Sequence, residues 1–249
     1  MIFGNESIST YSRPNVIIWM VLAFQAGVLN IGGLLACHSF VSHVTGFATL
    51  FGLELNLVHY WNAAGMLLVP LFFLLGAMMS GFLVDLRLQL KKKPKYHIVF
   101  GVLFMKLPFV VIGGFNGAFG HFGVWHETTG DYTLLALLCL ACGIQNGSIT
   151  LVSKSVVRTT HLTGVTTDLG IGLVRVFNRG RLGEQVRDEM RANLMRIGII
   201  CFFILGSAVG APLFIYYAYR GFLLPVVISG TLFFVTFYFQ VVREMLLKK

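Results

Sequence analysis

The chain has 249 residues, of which 56% are hydrophobic and 12% charged, and its mean hydropathy is +0.80. Soluble domains carry about 25% charged residues, so the composition excludes one and points to an all-α polytopic membrane protein. The formal net charge of +9 is not a nucleic-acid footprint, because Lys and Arg cluster at the edges of apolar segments, where they hold loops in the cytoplasm.

Six apolar segments are predicted as spans, in chain order 15–36, 61–86, 96–118, 132–153, 194–218 and 221–243. Each exceeds the roughly 20 residues that a helix needs to cross the hydrocarbon core. The polar stretch before the first span, and the length of that span, argue against a cleaved signal peptide. Cys37, Cys139, Cys142 and Cys201 all fall in apolar segments. Cys139-x-x-Cys142 offers two thiols where a closed metal site needs about four ligands, so these residues read as small hydrophobes.

Two shorter segments, 44–58 and 162–177, carry the most informative pattern. Each makes a helix of about 20 Å against a core of about 30 Å. The frame His43-x-Thr45-Gly46-x-x-Thr49-x-x-Gly52 recurs as His161-x-Thr163-Gly164-x-x-Thr167-x-x-Gly170. Upstream of each copy, Ala26-Gly27-Val28-Leu29-Asn30 is echoed by Cys142-Gly143-Ile144-Gln145-Asn146. The chain therefore reads as two copies of one unit.

The charges set an expected topology. Arg87, Lys91, Lys92, Lys93 and Lys95 form one basic loop, and Arg175, Arg179, Arg181, Arg187, Arg191 and Arg196 form another. Both belong in the cytoplasm, so an even number of crossings separates them. Spans 96–118 and 132–153 supply two, which leaves 162–177 to dip in and return. The same reasoning makes 44–58 re-entrant and puts both termini in the cytoplasm. The expectation is six transmembrane helices plus two re-entrant half-helices, as two inverted-topology repeats of three spans each. Residues 1–120 hold the first repeat with re-entrant segment 41–58, and residues 121–249 the second with segment 158–177. Such repeats place their broken helices together near the bilayer midplane. Eight spans in two parallel repeats is the other layout, and it forces one basic loop outward.

Candidate site residues follow from the motif. Gly46 and Gly164 permit close backbone approach, and Thr45 and Thr163 are positioned to cap the helices that follow. Gly46, Thr49 and Gly52, with Gly164, Thr167 and Gly170, form a narrow face for tight packing. His43 and His161 flank the site. They either bind substrate, proton or metal, or only hydrogen-bond a loose carbonyl at the break. Asp168 either marks a polar pathway or pairs with Arg158 or Arg175. Asn30, Asn146 and Gln145 either bond between helices or contact substrate. Lys106, inside an apolar span, is expected to snorkel to the cytoplasmic face. Gly76-Ala77 with Gly81, and Gly206-Ser207 with Gly210, read as helix-packing faces.

Residues 141–170, ACGIQNGSITLVSKSVVRTTHLTGVTTDLG, resemble the YoaK-like family of bacterial membrane proteins, and AGVLN followed by SHVTG resembles its N-terminal half. The chain departs from the family at Asn30, where an Asp is usual, and at Phe47, where an Asn is usual. The resemblance implies a bacterial cytoplasmic (inner) membrane protein of about six helices and implies no activity. No Walker loop, nucleophile elbow, HExxH or GxGxxG frame occurs in the sequence, so no cofactor is expected. The leading reading is a transporter or channel for a small polar or anionic solute or ion, with its site between the two motifs. A membrane-embedded metal or acid–base enzyme using His43, His161 and Asp168, and a structural or assembly protein, are the alternatives. The lipid bilayer is the expected partner, and homo-oligomerisation stays open.

Overall fold

In hydrocarbon every backbone amide must find a partner inside its own segment, which makes the helix the default for long apolar runs. The computed structural model describes residues 13–124, 128–150, 162–178, 180 and 185–247, and among them every regular element is helical. The main helices are α1 (Arg13–Cys37), α2 (Val44–Asn56), α3 (Tyr60–Ser80), α4 (Tyr96–Phe115), α5 (Thr129–Thr150), α6 (Leu162–Phe177), α7 (Gln185–Tyr217) and α8 (Leu223–Phe237). A π turn, Gly81–Asp85, prolongs α3, and another, Tyr238–Val242, prolongs α8. A 3-10 turn, Ala218–Phe222, joins α7 to α8.

Four stretches are long and apolar enough to cross a membrane: Asn15–Cys37, Tyr60–Gln89, Tyr96–Phe115 and Val186–Leu246. The last runs for 61 residues and breaks at Ala218–Phe222. α5 is not among them, and its last turns carry Gln145, Asn146 and Ser148. The exposed side of the bundle is apolar, with Leu67, Leu71 and Met78 on α3, Ile204 and Ile215 on α7, and Val227 and Phe234 on α8. A lipid environment covers such a surface. The chain is a helical, multi-pass membrane protein.

The helices pair in a pattern that maps onto itself when α1–α4 are exchanged, in order, with α5–α8. α1 packs on α7 as α3 packs on α5; α2 packs on α3 as α6 packs on α7; α4 packs on α8. The contacts repeat residue by residue. A Cβ at Gly27 would overlap the Phe203 carbonyl oxygen, and one at Gly143 would overlap the Phe73 carbonyl oxygen. Reciprocally, a Cβ at Gly206 would overlap the Phe24 carbonyl, and one at Gly76 the Leu140 carbonyl. Ser207 and Ser80 complete the crossings by donating to the carbonyls of Gly27 (3.2 Å) and Ile144 (2.6 Å). Backbones meet this closely only where both helices present small residues. Gly81, by contrast, has open space where a Cβ would stand, so Ser80 takes the packing role expected of it.

Between α4 and α8 the contact is self-complementary. Phe104 stacks on Phe233 with ring centroids 6.0 Å apart and planes 14° apart. Gly101 makes room for Phe233, and Gly230 makes room for Phe104. Each short helix is also tied by polar side chains to the long helix after it. Glu54 pairs with His59 at 3.0 Å between α2 and the start of α3, and Arg175 pairs with Glu189 at 2.9 Å between α6 and α7. Arg196 holds the other Glu189 oxygen at 2.7 Å. Arg175 is thus Glu189's partner, which sets aside Arg175 as the partner of Asp168; the other partner considered for Asp168, Arg158, lies outside the described residues.

Val58, just past the end of α2, has φ of 62° and is 62% exposed. A β-branched residue pays about 1–2 kcal/mol for the left-handed conformation, and little packing is lost here on truncation. Val58→Gly is therefore expected to raise the thermal unfolding midpoint of the purified protein by a few degrees, about 1 kcal/mol. A lower midpoint would show that Val58 packs against something that outweighs its strain.

Candidate functional site

α1 ends at Cys37, ahead of the first motif, and the turn that follows is built locally. The His43 amide donates to the Phe40 carbonyl at 3.1 Å, the Gly46 amide to the His43 carbonyl at 2.9 Å, and the Phe40 and His43 rings meet edge to face. The Ser42 hydroxyl donates to the Asn30 side-chain oxygen at 3.0 Å. That bond ties the turn back to α1 and leaves the Asn30 amide nitrogen as a donor. α2 starts at Val44, with His43 in the capping position and no side-chain cap. Thr45 therefore lies inside the first turn and is not the cap, contrary to expectation. The helix starts two residues too early for Thr45 to be its cap and for its hydroxyl to reach an orphan amide.

The starts of α2 and α6 open onto one cavity of about 390 Å³. Asn30, Ser42, His43, Val44 and Thr45 line it from the first half of the chain, and Leu162 and Thr163 from the second. Phe73 of α3 and Phe203 of α7 also line it. These are the residues whose carbonyls receive Gly143 and Gly27, so the two close crossings border the cavity and fix its width. Among the described residues its lining contains no Asp, Glu, Lys or Arg. Its polar groups are an amide, hydroxyls and an imidazole, next to the uncapped start of α2.

The remaining candidates fall elsewhere. Gly46 and Gly164 are half-buried in the first turns of α2 and α6, and a Cβ at Gly46 would stand 3.1 Å from His43 Nδ1. Thr49 and Thr167 make matching bonds to the carbonyls of Thr45 and Thr163, at 3.1 and 2.9 Å. Gly52 and Gly170 have open space where a Cβ would stand, so at these two positions the stripe of small residues makes no tight crossing among the described residues. Asp168 is half-buried one turn further along α6 and does not line the cavity. Gln145 is fully buried and donates to the Leu22 carbonyl at 2.7 Å, which is the interhelical bond expected of one reading. Asn146, half-buried beside it, is also outside the cavity. His161 and Arg158 lie outside the described residues. No three His, Cys, Asp or Glu side chains gather as a metal site among the described residues.

Ser42, Phe73 and Phe203 were not expected. A signal for the two phenylalanines is present in the sequence: Phe72-Phe73-Leu74-Leu75-Gly76-Ala77 is echoed by Phe202-Phe203-Ile204-Leu205-Gly206-Ser207. Gly101-x-Leu103-Phe104 against Gly230-x-Leu232-Phe233 is a further echo.

No curated protein and no solved structure gives a significant match to the chain. A family model does, described as a protein of unknown function (DUF1275), and it matches residues 18–236. That stretch holds both copies of the motif, both close crossings and the Phe104–Phe233 stack, and over it the chain belongs to the DUF1275 family of proteins of unknown function.

Proposed function

We propose that the protein is a transporter or channel for a small polar or anionic solute, with its site in the cavity where the two motif helices begin. Residues 1–120 and 121–249 form two inverted repeats, each with three crossings and one re-entrant helix, α2 or α6. The exchange-symmetric helix pairing supports this layout, as does the self-complementary Phe104–Phe233 contact on the exchange axis. The basic loops put both termini and the α3–α4 connection in the cytoplasm of a bacterial inner membrane. Inverted repeats of this kind bind their substrate between the broken helices near the midplane.

The observation that carries the reading is that Thr45 and Thr163, from segments 118 residues apart, line one cavity with Asn30 and His43. Helix starts present unbonded amides and the positive end of a dipole, which favour an anion or a polar oxygen. With no charged side chain in the described lining, the site offers hydrogen bonds rather than a counter-charge. The proposed substrate-binding set also takes in His161 and Asp168.

Purified protein reconstituted in liposomes tests it. Under inward gradients of potassium formate or potassium nitrate with valinomycin to carry the counter-ion, or of glycerol, stopped-flow light scattering is expected to show protein-dependent swelling for at least one solute. Rates equal to empty liposomes for all three would remove transport of small anions and polyols.

A further inference from the structure

The motif cavity leaves Lys106 unused. Lys106 is the eleventh residue of the 20-residue α4, about 15 Å from either end at 1.5 Å per residue. In the orientation proposed above this is the midplane, where a cation is least tolerated and marks a functional site by default. Packing does not demand it. The Gly101–Phe104 and Gly230–Phe233 contacts fix the correspondence of α4 with α8, and Val235 stands in α8 where Lys106 stands in α4. Lys106 lines a second cavity of about 430 Å³, walled by Val69 and Phe72 of α3 and Leu137 and Leu140 of α5. Trp61 and Tyr132, from the first turns of α3 and α5, line the cavity's outer end. Phe72 faces this space and its neighbour Phe73 faces the motif cavity, so α3 separates the two.

The chemistry of the wall is one-sided. It is aliphatic and aromatic, with a few hydroxyls, and its described lining holds no acidic side chain. Among the described residues Lys106 makes no ion pair. A lone ammonium in an apolar wall fits a partner with one negative charge and a hydrocarbon body. At about 30 Å³ for a group the size of a water molecule, the cavity holds about fourteen such groups, one medium alkyl chain and not two.

We propose that this cavity binds a lipophilic carboxylic acid drawn from the outer half of the bilayer. Its carboxylate pairs with Lys106, and its chain lies between α3 and α5 beneath Trp61. Pairing relieves the cost of each charge at that depth. The site is separate from the motif cavity, so the failure of the flux experiment leaves it standing.

Quenching of Trp61 fluorescence by 11-bromoundecanoic acid, on the full chain in lipid nanodiscs, tests the proposal. The acid is expected to quench saturably, and Trp61→Phe to remove that saturable component. The methyl ester, which has the same chain without the charge, is expected to bind at least tenfold more weakly. Lys106→Met should weaken the acid by at least tenfold, while Lys106→Arg keeps it within threefold. Lys106→Met removes a half-buried charge from an apolar wall, so its melting midpoint should equal or exceed the parent's. Should that variant fail to fold, the acid-against-ester comparison on the parent decides. Equal quenching by acid and ester, or unchanged acid binding in Lys106→Met, would overturn the proposal and leave a greasy groove filled by any lipid chain.

Discussion

Gly27→Ala and Gly143→Ala are each expected to cost about 3 kcal/mol or more, enough to lower yield and melting midpoint sharply. One methyl group is too much, because the atom it meets is a backbone carbonyl oxygen, of Phe203 or Phe73. A flexible side chain swings aside; a carbonyl in a helix moves only if the whole helix moves. Separating α1 from α7, or α3 from α5, would also break the Ser207 and Ser80 bonds across the same crossings. Gly52→Ala and Gly170→Ala provide the opposite sign. Both lie in helices with open space at the Cβ position, so alanine's better helix propensity should stabilise them by about 0.5–1 kcal/mol. Thermal unfolding of the four variants in one detergent checks the contrast. Losses of similar size at all four positions would mean that the crossings are not the tight points of the fold.

Thr45→Trp and Thr163→Trp are each expected to reduce solute flux by at least tenfold while the protein stays folded. Both side chains are exposed to the shared cavity, so an indole there fills the space between Phe73 and Phe203 and displaces no packed core. Proposed exchange symmetry makes the prediction stricter, since a plug on α2 and a plug on α6 must act alike. The same liposome assay with the permeating solute, beside a melting curve for each variant, measures this. Full flux in either variant would place the pathway outside this cavity. Loss of melting cooperativity along with flux would show that the threonines hold the fold instead.

Much of the helical layout is legible in the sequence because bilayer thickness and backbone satisfaction leave few options. The expected segments at 15–36, 44–58, 96–118 and 162–177 lie close to α1, α2, α4 and α6. The doubled His-x-Thr-Gly frame is legible for another reason: polar residues in apolar surroundings stand out against the background. The echoes around Phe73 and Phe203, and around Gly101 and Gly230, consist of Gly, Phe and Leu, which such a composition supplies everywhere. Their meaning emerges only when each glycine is seen to make room for a ring or a carbonyl from the other half.

By itself, then, the sequence determined the membrane setting, the position of most helices and the twofold recurrence, since these depend on local composition and spacing. Only tertiary structure decided which recurrences matter. It moved the start of α2 to Val44, so that Thr45 fell inside the helix. It turned Gly52 and Gly170 to open space and gave Arg175 to Glu189. It set Lys106 in a cavity made by three helices. A side chain's surroundings at membrane depth come from neighbours far away in the chain, and no local pattern records which way each helix face is turned.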